Sequence, residues 1–248
     1  MLTEERQKKI LELLETQGSV EATDLMAALE ASESTIRRDL NAMDAAGLLT
    51  KVHGGAIAKG HDDYVTKDDD ISLRKTRNIS EKKAIAQFAA SLIKDNDFVY
   101  MDAGSTTELM VDYITAKNVT FVTNAINHAT RLSAKGYTTY LIGGQFKSVT
   151  EALVGEEAIS AVEKYNFTKG FFGTNGLTVD QGFTTPELQE ALIKKKALES
   201  SREAYVLMDS SKFGEISPVT FSPISAATVI TDKCPQDYAA IENIISTI

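Results

Sequence analysis

The chain has 248 residues, a formal net charge of −9 and one cysteine, a length that suits one large domain or two unequal domains. With 43% hydrophobic residues it is too apolar to be largely disordered, and it has no apolar run of the ~20 residues that a membrane span needs. The N-terminus MLTEERQKKI lacks the apolar core of a signal peptide, and a lone Cys234 forms no intrachain disulfide. We therefore expect a cytoplasmic protein with no membrane partner.

Metal and cofactor motifs are missing from the sequence. His53, His61 and His128 share no ligand spacing with one another or with Cys234, whereas a structural zinc usually takes four Cys or His ligands. The chain also lacks a P-loop, a GxGxxG fingerprint and a GxSxG elbow. We expect no metal, no cofactor and no catalytic residue.

Residues 1–57 predict a winged helix-turn-helix. Apolar spacing indicates helices over 3–16, around 25–29 and from Ser32 to near Gly47. A strand over 48–53 then turns at a pair of glycines. Three helices followed by a small hairpin are typical of a DNA-binding unit.

Residues 58–73 are rich in aspartate and predict an acidic linker, after which residues 74–248 alternate between strands and helices. The predicted strands are 98–101, 120–123, 139–142, 170–172, 205–208 and 228–231. The predicted helices are 80–92, 106–114, 127–134, 156–164, 187–201 and 236–245. This alternation predicts an α/β domain with a mostly parallel sheet covered on both faces.

The third helix carries the candidate DNA-reading residues. If Ile36 and Leu40 face the core, hydroxyls and two arginines lie on the outer face, where they could contact phosphates and base edges. Taken alone, this pattern leaves open a small helical cap with two surface arginines. The candidate DNA-binding residues are Ser32, Ser34, Thr35, Arg37, Arg38, Lys51 and His53.

The segment SESTIRRDLNAMDAAGLLTKVHGGA resembles the DNA-binding segment of DeoR-type bacterial repressors. It matches their pattern at Ser32, 35–40, Gly47, Leu49 and 53–56. It departs at Met43, which conserves core volume, and at Lys51, which keeps the charge but loses the guanidinium fork. The resemblance implies a repressor that binds double-stranded operator DNA.

A second candidate site lies where the predicted strands end. The strand 98–101 runs into the segment DAGSTT, whose glycine permits a tight turn and whose hydroxyls sit at a helix N-terminus, an arrangement that favours phosphate. Amides, small residues and an ammonium follow other strands at 123–124, 143–144, 173–176 and 209–212. Each segment alone is also compatible with an ordinary turn. Together at one sheet edge they suit a polyhydroxylated phosphate.

The same region resembles the effector domain of DeoR-type regulators, which is similar in fold to ribose-5-phosphate isomerase. Matches include a lead-in of Arg74, Asn78 and Lys82, and Glu190 with Lys194, which could also pair as a simple surface bridge. The candidate effector-binding residues are Asp102, Gly104, Ser105, Thr106, Thr107, Thr123, Asn124, Gly143, Gly144, Asn175, Gly176, Glu190, Lys194 and Lys212.

The resemblance implies a repressor of a sugar-utilisation operon that a phosphorylated sugar releases from DNA. Among subgroups the chain looks most like the fructose-operon repressors of Gram-positive bacteria, so fructose 1-phosphate is the first candidate and tagatose 6-phosphate an alternative. Two other hypotheses are an active sugar-phosphate isomerase and a DNA-binding oligomer with a vestigial pocket. The fourth strand runs into GFFGTNG, which lacks the acid that an isomerase site needs. A homodimer or homotetramer is expected, because two helix-turn-helix units read two half-sites.

Overall fold

A computed structural model describes residues 3–17, 19–29, 31–46, 48–52, 54–58 and 71–247. The chain divides into two compact units, within residues 1–63 and 64–248. Most of the predicted acidic linker, at 59–70, lies outside the described residues, and its end at 71–73 begins a helix.

The first unit is a winged helix-turn-helix, as the sequence predicts. Its elements are α1 (Thr3–Gln17), β1 (Ser19–Glu21), α2 (Ala22–Leu29), α3 (Glu33–Ala45), β2 (Leu49–Val52) and β3 (Gly55–Ala58). The strands form an antiparallel sheet in the order β1-β3-β2. Ile36, Leu40 and Met43 of α3 are buried against α1 and α2, which leaves the opposite face of α3 outward.

A glycine permits the close pairing of two strands in this sheet. A Cβ atom on Gly55 would lie 2.1 Å from the carbonyl oxygen of Val20, inside the contact distance of any side chain. The pairing of β1 with β3 therefore depends on glycine at this position.

The second unit alternates strands and helices. Its first half comprises α4 (Ile71–Thr76), α5 (Ile79–Ser91), β4 (Phe98–Met101), α6 (Ser105–Tyr113), β5 (Thr120–Thr123), α7 (Ile126–Ala134), β6 (Thr138–Leu141), β7 (Gln145–Lys147), β8 (Ala152–Val154) and α8 (Glu156–Val162). Its second half comprises β9 (Phe167–Gly173), β10 (Gly176–Thr178), β11 (Gly182–Thr185), α9 (Leu188–Glu199), β12 (Ser201–Leu207), β13 (Val219–Ser222), β14 (Thr228–Thr231) and β15 (Ile244–Ser246).

The central sheet is parallel throughout its described strands, in the order β15-β14-β12-β9-β4-β5-β6. Alternate residues of its strands face opposite sides: Tyr100 and Phe172 enter one apolar cluster, and Met101 and Phe171 enter the other. Both faces of the sheet are therefore covered. Strand order reverses between β4 and β9, and ligands of such sheets bind in the crevice at this switch point.

Two smaller sheets were not predicted from the sequence. The hairpin β7-β8 and the antiparallel sheet β10-β11-β13 follow the carboxyl ends of β6 and β9. The predicted helix over 236–245 is wrong: a short 3-10 turn, Gln236–Tyr238, precedes β15, which pairs with β14. The β-branched pair Ile244 and Ile245 suits an edge strand better than a helix. None of the described helices is long and apolar enough to cross a membrane.

Candidate functional site

The outward face of α3 carries the predicted hydroxyls and arginines. Ser34, Arg37 and Arg38 are exposed, and Thr35 is half-buried. Ser32 occupies the N-cap position, where its hydroxyl lies 3.1 Å from Oγ of Ser34 and 2.9 Å from Oγ1 of Thr35. The start of α3 thus presents a cluster of short hydroxyl side chains beside two guanidinium groups.

The acidic residue beside these arginines is turned away from them. Asp39 is buried and accepts hydrogen bonds from the guanidinium of Arg6 on α1, one of them 3.1 Å from Nη2 to Oδ1. A carboxylate beside Arg37 and Arg38 would reduce the positive potential of the outer face, so this buried ion pair leaves that face basic.

The wing contributes one described basic residue. Lys51 is exposed, and its ammonium donates to Oδ1 of Asn41 on α3 at 2.6 Å. Its backbone N–H donates to the carboxylate of Asp44 at 3.0 Å, which ties the wing to α3. The predicted wing residue His53 lies outside the described residues.

A cavity opens at the carboxyl ends of β4 and β9 in the second unit. Its volume of about 140 Å³ is roughly ten times what a single water needs. Its wall is polar and rich in cations: Arg74, Arg77, Asn78, Lys82, Ala103, Gly104, Ser105, Thr150, Gly173, Thr174, Asn175, Glu190, Lys194, Asp209, Ser211 and Lys212. Five of these residues are basic and two are acidic, so the wall favours an anion.

Lys82 joins the cavity to the N-terminus of α6. It is buried on α5, and its ammonium donates to Oγ of Ser105 at 3.1 Å and to the carbonyl of Arg74 at 2.5 Å. Burial lowers the pKa of Lys82, Asp209 opposes this shift, and Lys212, Arg74 and Arg77 add to it. An anion at this point would relieve the repulsion among the cations.

Asp102 and Lys194 form a buried ion pair behind the cavity wall. The ammonium of Lys194 donates to Oδ2 of Asp102 and, at 3.2 Å, to the carbonyl of Gly173. The same carboxylate oxygen accepts from the N–H of Gly173 at 3.1 Å. Burial raises the pKa of Asp102, and Lys194 limits that rise. Lys194 lines the cavity, whereas Asp102 lies just behind its wall.

Glu190 and Lys194 do not form the surface bridge that their spacing allows. Both are buried, and Glu190 instead accepts from Oγ1 of Thr150 at 2.7 Å and from the ammonium of Lys147 at 3.0 Å. The surface-bridge alternative is therefore wrong. Glu190 is bonded to Thr150 and Lys147, and Lys194 is bonded to Asp102 and Gly173.

Several predicted residues do not line the cavity: Asp102, Thr106, Thr107, Thr123, Asn124, Gly143, Gly144 and Gly176. Asn124 accepts from the N–H of Ala103 at 3.0 Å and donates to the carbonyl of Leu153 at 3.3 Å. A Cβ on Gly176 would lie 2.1 Å from the carbonyl oxygen of Glu215. These contacts hold the loops that follow the strands.

Beneath α6, Thr107 contacts a buried histidine. The hydroxyl of Thr107 donates to the carbonyl of Asp102 at 2.7 Å and lies 3.0 Å from Nε2 of His128. Burial lowers the pKa of His128 to about 3, with smaller contributions from Arg131 and Lys75. The imidazole is therefore neutral near neutral pH and supports the loop before α6.

Sequence reasoning missed much of the basic part of the wall. Gly104, Ser105, Asn175, Glu190, Lys194 and Lys212 were predicted for the site and line the cavity. Arg74, Arg77 and Lys82 line it too, from α4, the turn after it and α5. The available signal for Arg74 and Lys82 was the lead-in that the family resemblance included without placing it in the site, and Arg77 was not part of that lead-in.

Two family models match the chain. Residues 77–233 match the DeoR C terminal sensor domain, and residues 6–60 match the DeoR-like helix-turn-helix domain. The chain is 43% identical over 95% of its length to an "Uncharacterized HTH-type transcriptional regulator FruR" of Bacillus subtilis (strain 168), covering 93% of that protein. It is 34% identical to a "Lactose phosphotransferase system repressor" of Streptococcus mutans, over 96% of this chain and 94% of that protein.

Solved structures with a similar arrangement are more distant. Ribose 5-phosphate isomerase from Plasmodium falciparum aligns with a TM-score of 0.40 and 16% identity, over 54% of this chain and 52% of that chain. eIF2B delta from Chaetomium thermophilum aligns with a TM-score of 0.46 and 14% identity, over 88% of this chain and 64% of that chain.

Proposed function

Because the chain belongs to the DeoR family of transcriptional regulators, we propose that it represses a sugar-utilisation operon and leaves its operator when a phosphorylated sugar binds. The first unit binds double-stranded DNA, and the cavity of the second unit takes the sugar phosphate. A homodimer or homotetramer presents two DNA-binding units to the two halves of an operator.

The exposed face of α3 supports the DNA-binding part of the proposal. Arg37 and Arg38 stand outward beside Ser34, and Asp39 is paired with Arg6 on the other side of the helix. A net charge of −9 weakens nonspecific attraction to DNA, so binding rests on these few local contacts. Together with Ser32, Thr35, Lys51 and His53, these residues are the proposed DNA contacts.

The charge of the cavity wall is the observation that carries the effector proposal. Lys194 pairs with Asp102, and Glu190 pairs with Lys147, which also lies 2.7 Å from Glu187. Arg74, Arg77, Lys82 and Lys212 line the wall as well, together with the carboxylate of Asp209. A phosphate monoester carries about −1.5 to −2 charges near neutral pH and suits a wall with more basic than acidic residues. Thr150, Thr174 and Asn175 offer hydrogen bonds for sugar hydroxyls.

Fructose 1-phosphate is the first candidate effector, on the resemblance to fructose-operon repressors. Tagatose 6-phosphate is the alternative, and relatives named as lactose phosphotransferase system repressors justify including it in the test.

The hydrogen bonds that the carboxylates of the site accept favour a regulator over an isomerase. Asp102 accepts from Lys194 and Gly173, and Glu190 accepts from Lys147 and Thr150. Asp209 accepts from Asn78 at 2.9 Å and from Ser211. A general base must reach a substrate proton, and these three carboxylates are already held by donors from the protein.

The test is release of the purified protein from DNA upstream of its own gene. Fructose 1-phosphate, fructose 6-phosphate, tagatose 6-phosphate and unphosphorylated fructose are titrated at one salt concentration, since phosphate contacts make DNA affinity salt-dependent. The proposal expects release by one phosphorylated sugar and none by fructose. Specific DNA binding that no sugar phosphate changes would refute the effector proposal, and turnover of a sugar phosphate would favour the isomerase.

A further inference from the structure

The outward face of α3 carries a polar side chain that was not among the predicted DNA contacts. Asn41 is exposed, and it follows Arg37 at i+4 and Ser34 at i+7, so these side chains lie on one stripe of the helix. Arg37 and Asn41 together line two overlapping surface depressions, one of which extends to Lys51 on the wing and the other to Ser34. Asn41 thus lies where the helix and the wing meet on the proposed DNA surface.

A hydrogen bond from the wing fixes the orientation of the Asn41 amide. The ammonium of Lys51 lies 2.6 Å from Oδ1 of Asn41. Because an ammonium only donates hydrogen bonds, the amide atom that faces it must be the oxygen and not the NH2 group. The backbone N–H of Lys51 also donates to Oδ1 of Asp44 at 3.0 Å, which holds this strand of the wing beside α3. Lys51 therefore presents the amide in one of its two possible orientations.

An asparagine amide that is held in this way matches the major-groove edge of adenine. Adenine presents an acceptor at N7 beside a donor at N6, and asparagine pairs with both through its NH2 group and its oxygen. The amide oxygen has two lone pairs, so Oδ1 can accept from Lys51 and from an adenine N6 at the same time. Guanine presents two acceptors at the same edge and gives the oxygen no donor. The oriented amide thus favours adenine over guanine.

We infer that Asn41 reads an adenine in each operator half-site, and that Lys51 is the positioning residue that orients its amide. The inference rests on the proposed function, because it takes the outward face of α3 as the DNA-reading surface. Asn41 lies one turn after Arg37, about 6 Å further along the helix axis. Since successive base pairs lie about 3.4 Å apart, the adenine is about one or two base pairs from the position that Arg37 contacts.

Binding of the full chain to its operator, and to fragments in which each base pair is changed in turn, tests this inference. For the unmodified protein, changing the A·T pair that Asn41 reads is expected to weaken binding roughly 5- to 150-fold, the range for one bidentate contact. Asn41→Ala is expected to bind the operator more weakly and to lose its preference at that base pair alone. Replacing the adenine by 7-deazaadenine removes the N7 acceptor, and this should weaken binding of the unmodified protein but not of Asn41→Ala.

Two variants of Lys51 test its positioning role. Lys51→Met is expected to relax the preference at the same base pair although Asn41 is still present, because nothing then holds the amide oxygen. Lys51→Arg keeps a donor at this position and is expected to keep the preference. As a matched control, Gln189→Ala removes an exposed amide from α9 and is expected to change neither affinity nor preference. Thermal unfolding establishes that each variant is folded.

Base preferences in Asn41→Ala that equal those of the unmodified protein would overturn the inference. A uniform loss of affinity at all base pairs would also overturn it, because Asn41 would then only tie the wing to α3. Full preference in Lys51→Met would refute the positioning role. Absence of specific operator binding by the unmodified protein would instead refute the proposed function, and the inference with it, so the two failures are distinguishable.

Discussion

Lys194 on α9 donates to the carboxylate of Asp102, which directly follows β4, so a buried ion pair fastens a helix to the sheet edge behind the cavity. The pair neutralises a cation that would otherwise add to the charge of the wall. Further cations line the same cavity from α4, α5 and the turn at Ser210–Lys212.

Replacing Lys194 by methionine should destabilise the second unit by about 3–5 kcal/mol at about pH 7, because Asp102 would remain buried and charged without its partner. Loss of Lys194 raises the pKa of Asp102 further above its ordinary value. A raised carboxyl pKa penalises folding above that pKa, so the deficit should shrink as the pH falls. Urea unfolding at several pH values measures this. Lys195→Met, at an exposed position of the same helix, is the control, and equal losses in both variants would contradict the account.

His128 should make the second unit less stable in mild acid. The pKa of its imidazole falls from an ordinary value of 6.5 to about 3 on folding. Between these two values, the imidazole is protonated in the unfolded chain and neutral in the folded chain. Stability is then full above the unfolded pKa and falls by about 1.4 kcal/mol per pH unit below it. In His128→Gln, this part of the pH dependence between about pH 6.5 and 5 should vanish. Identical slopes in the two proteins would show that His128 titrates normally.

The ion pair between Arg6 and Asp39 should stabilise the first unit. Arg6→Gln leaves a buried carboxylate on α3 without its charged partner, which should lower the thermal unfolding temperature of this unit. The double variant Arg6→Gln/Asp39→Asn should recover part of the loss. Lys8→Gln removes one member of an exposed i,i+4 pair on the same helix and should have little effect. A loss in Lys8→Gln as large as that in Arg6→Gln would argue against the buried pair.

Arg37→Ala should weaken operator binding by about 1–3 kcal/mol if the guanidinium contacts a base, with relaxed discrimination at one operator position. If it contacts only a phosphate, affinity should fall for all DNA sequences alike. The slope of log K against log salt concentration should then become shallower by about one. Arg202→Ala, at an exposed position of β12, is the matched control. Binding isotherms on operator and scrambled fragments separate these results, and full affinity in Arg37→Ala would remove α3 from the proposed interface.

Several strands of the central sheet were predictable because they are short apolar runs between turn residues. Predicted strands 98–101, 120–123 and 228–231 agree with β4, β5 and β14. The strand β15 was not predicted, because a strand of three residues, Ile244–Ser246, is too short to show a clear alternation. The strands of the hairpins β7-β8 and β10-β11 are equally short, at three or four residues each.

The site was partly predictable because polar residues that follow a predicted strand can be found in the sequence. Ser105, Asn175 and Lys212 follow predicted strands and do line the cavity. Thr123 ends β5 and Asn124 follows it, but their side chains accept from the backbone N–H groups of Ala125 and Ala103. Local sequence cannot distinguish these two outcomes, since both place a polar residue at a strand end. The arginines of the wall come from α4 and the turn after it, which reach the site through the packing of α4 and α5 on α6.

The most direct test of the central claim is the dissociation constant of the operator complex with and without the releasing sugar phosphate, at one salt concentration. We expect it to rise by roughly 100-fold, equivalent to about 2.7 kcal/mol of coupling. By linkage, the operator must weaken sugar-phosphate binding by the same factor. A constant that no sugar phosphate alters, on a fragment that the protein binds specifically, would contradict the account.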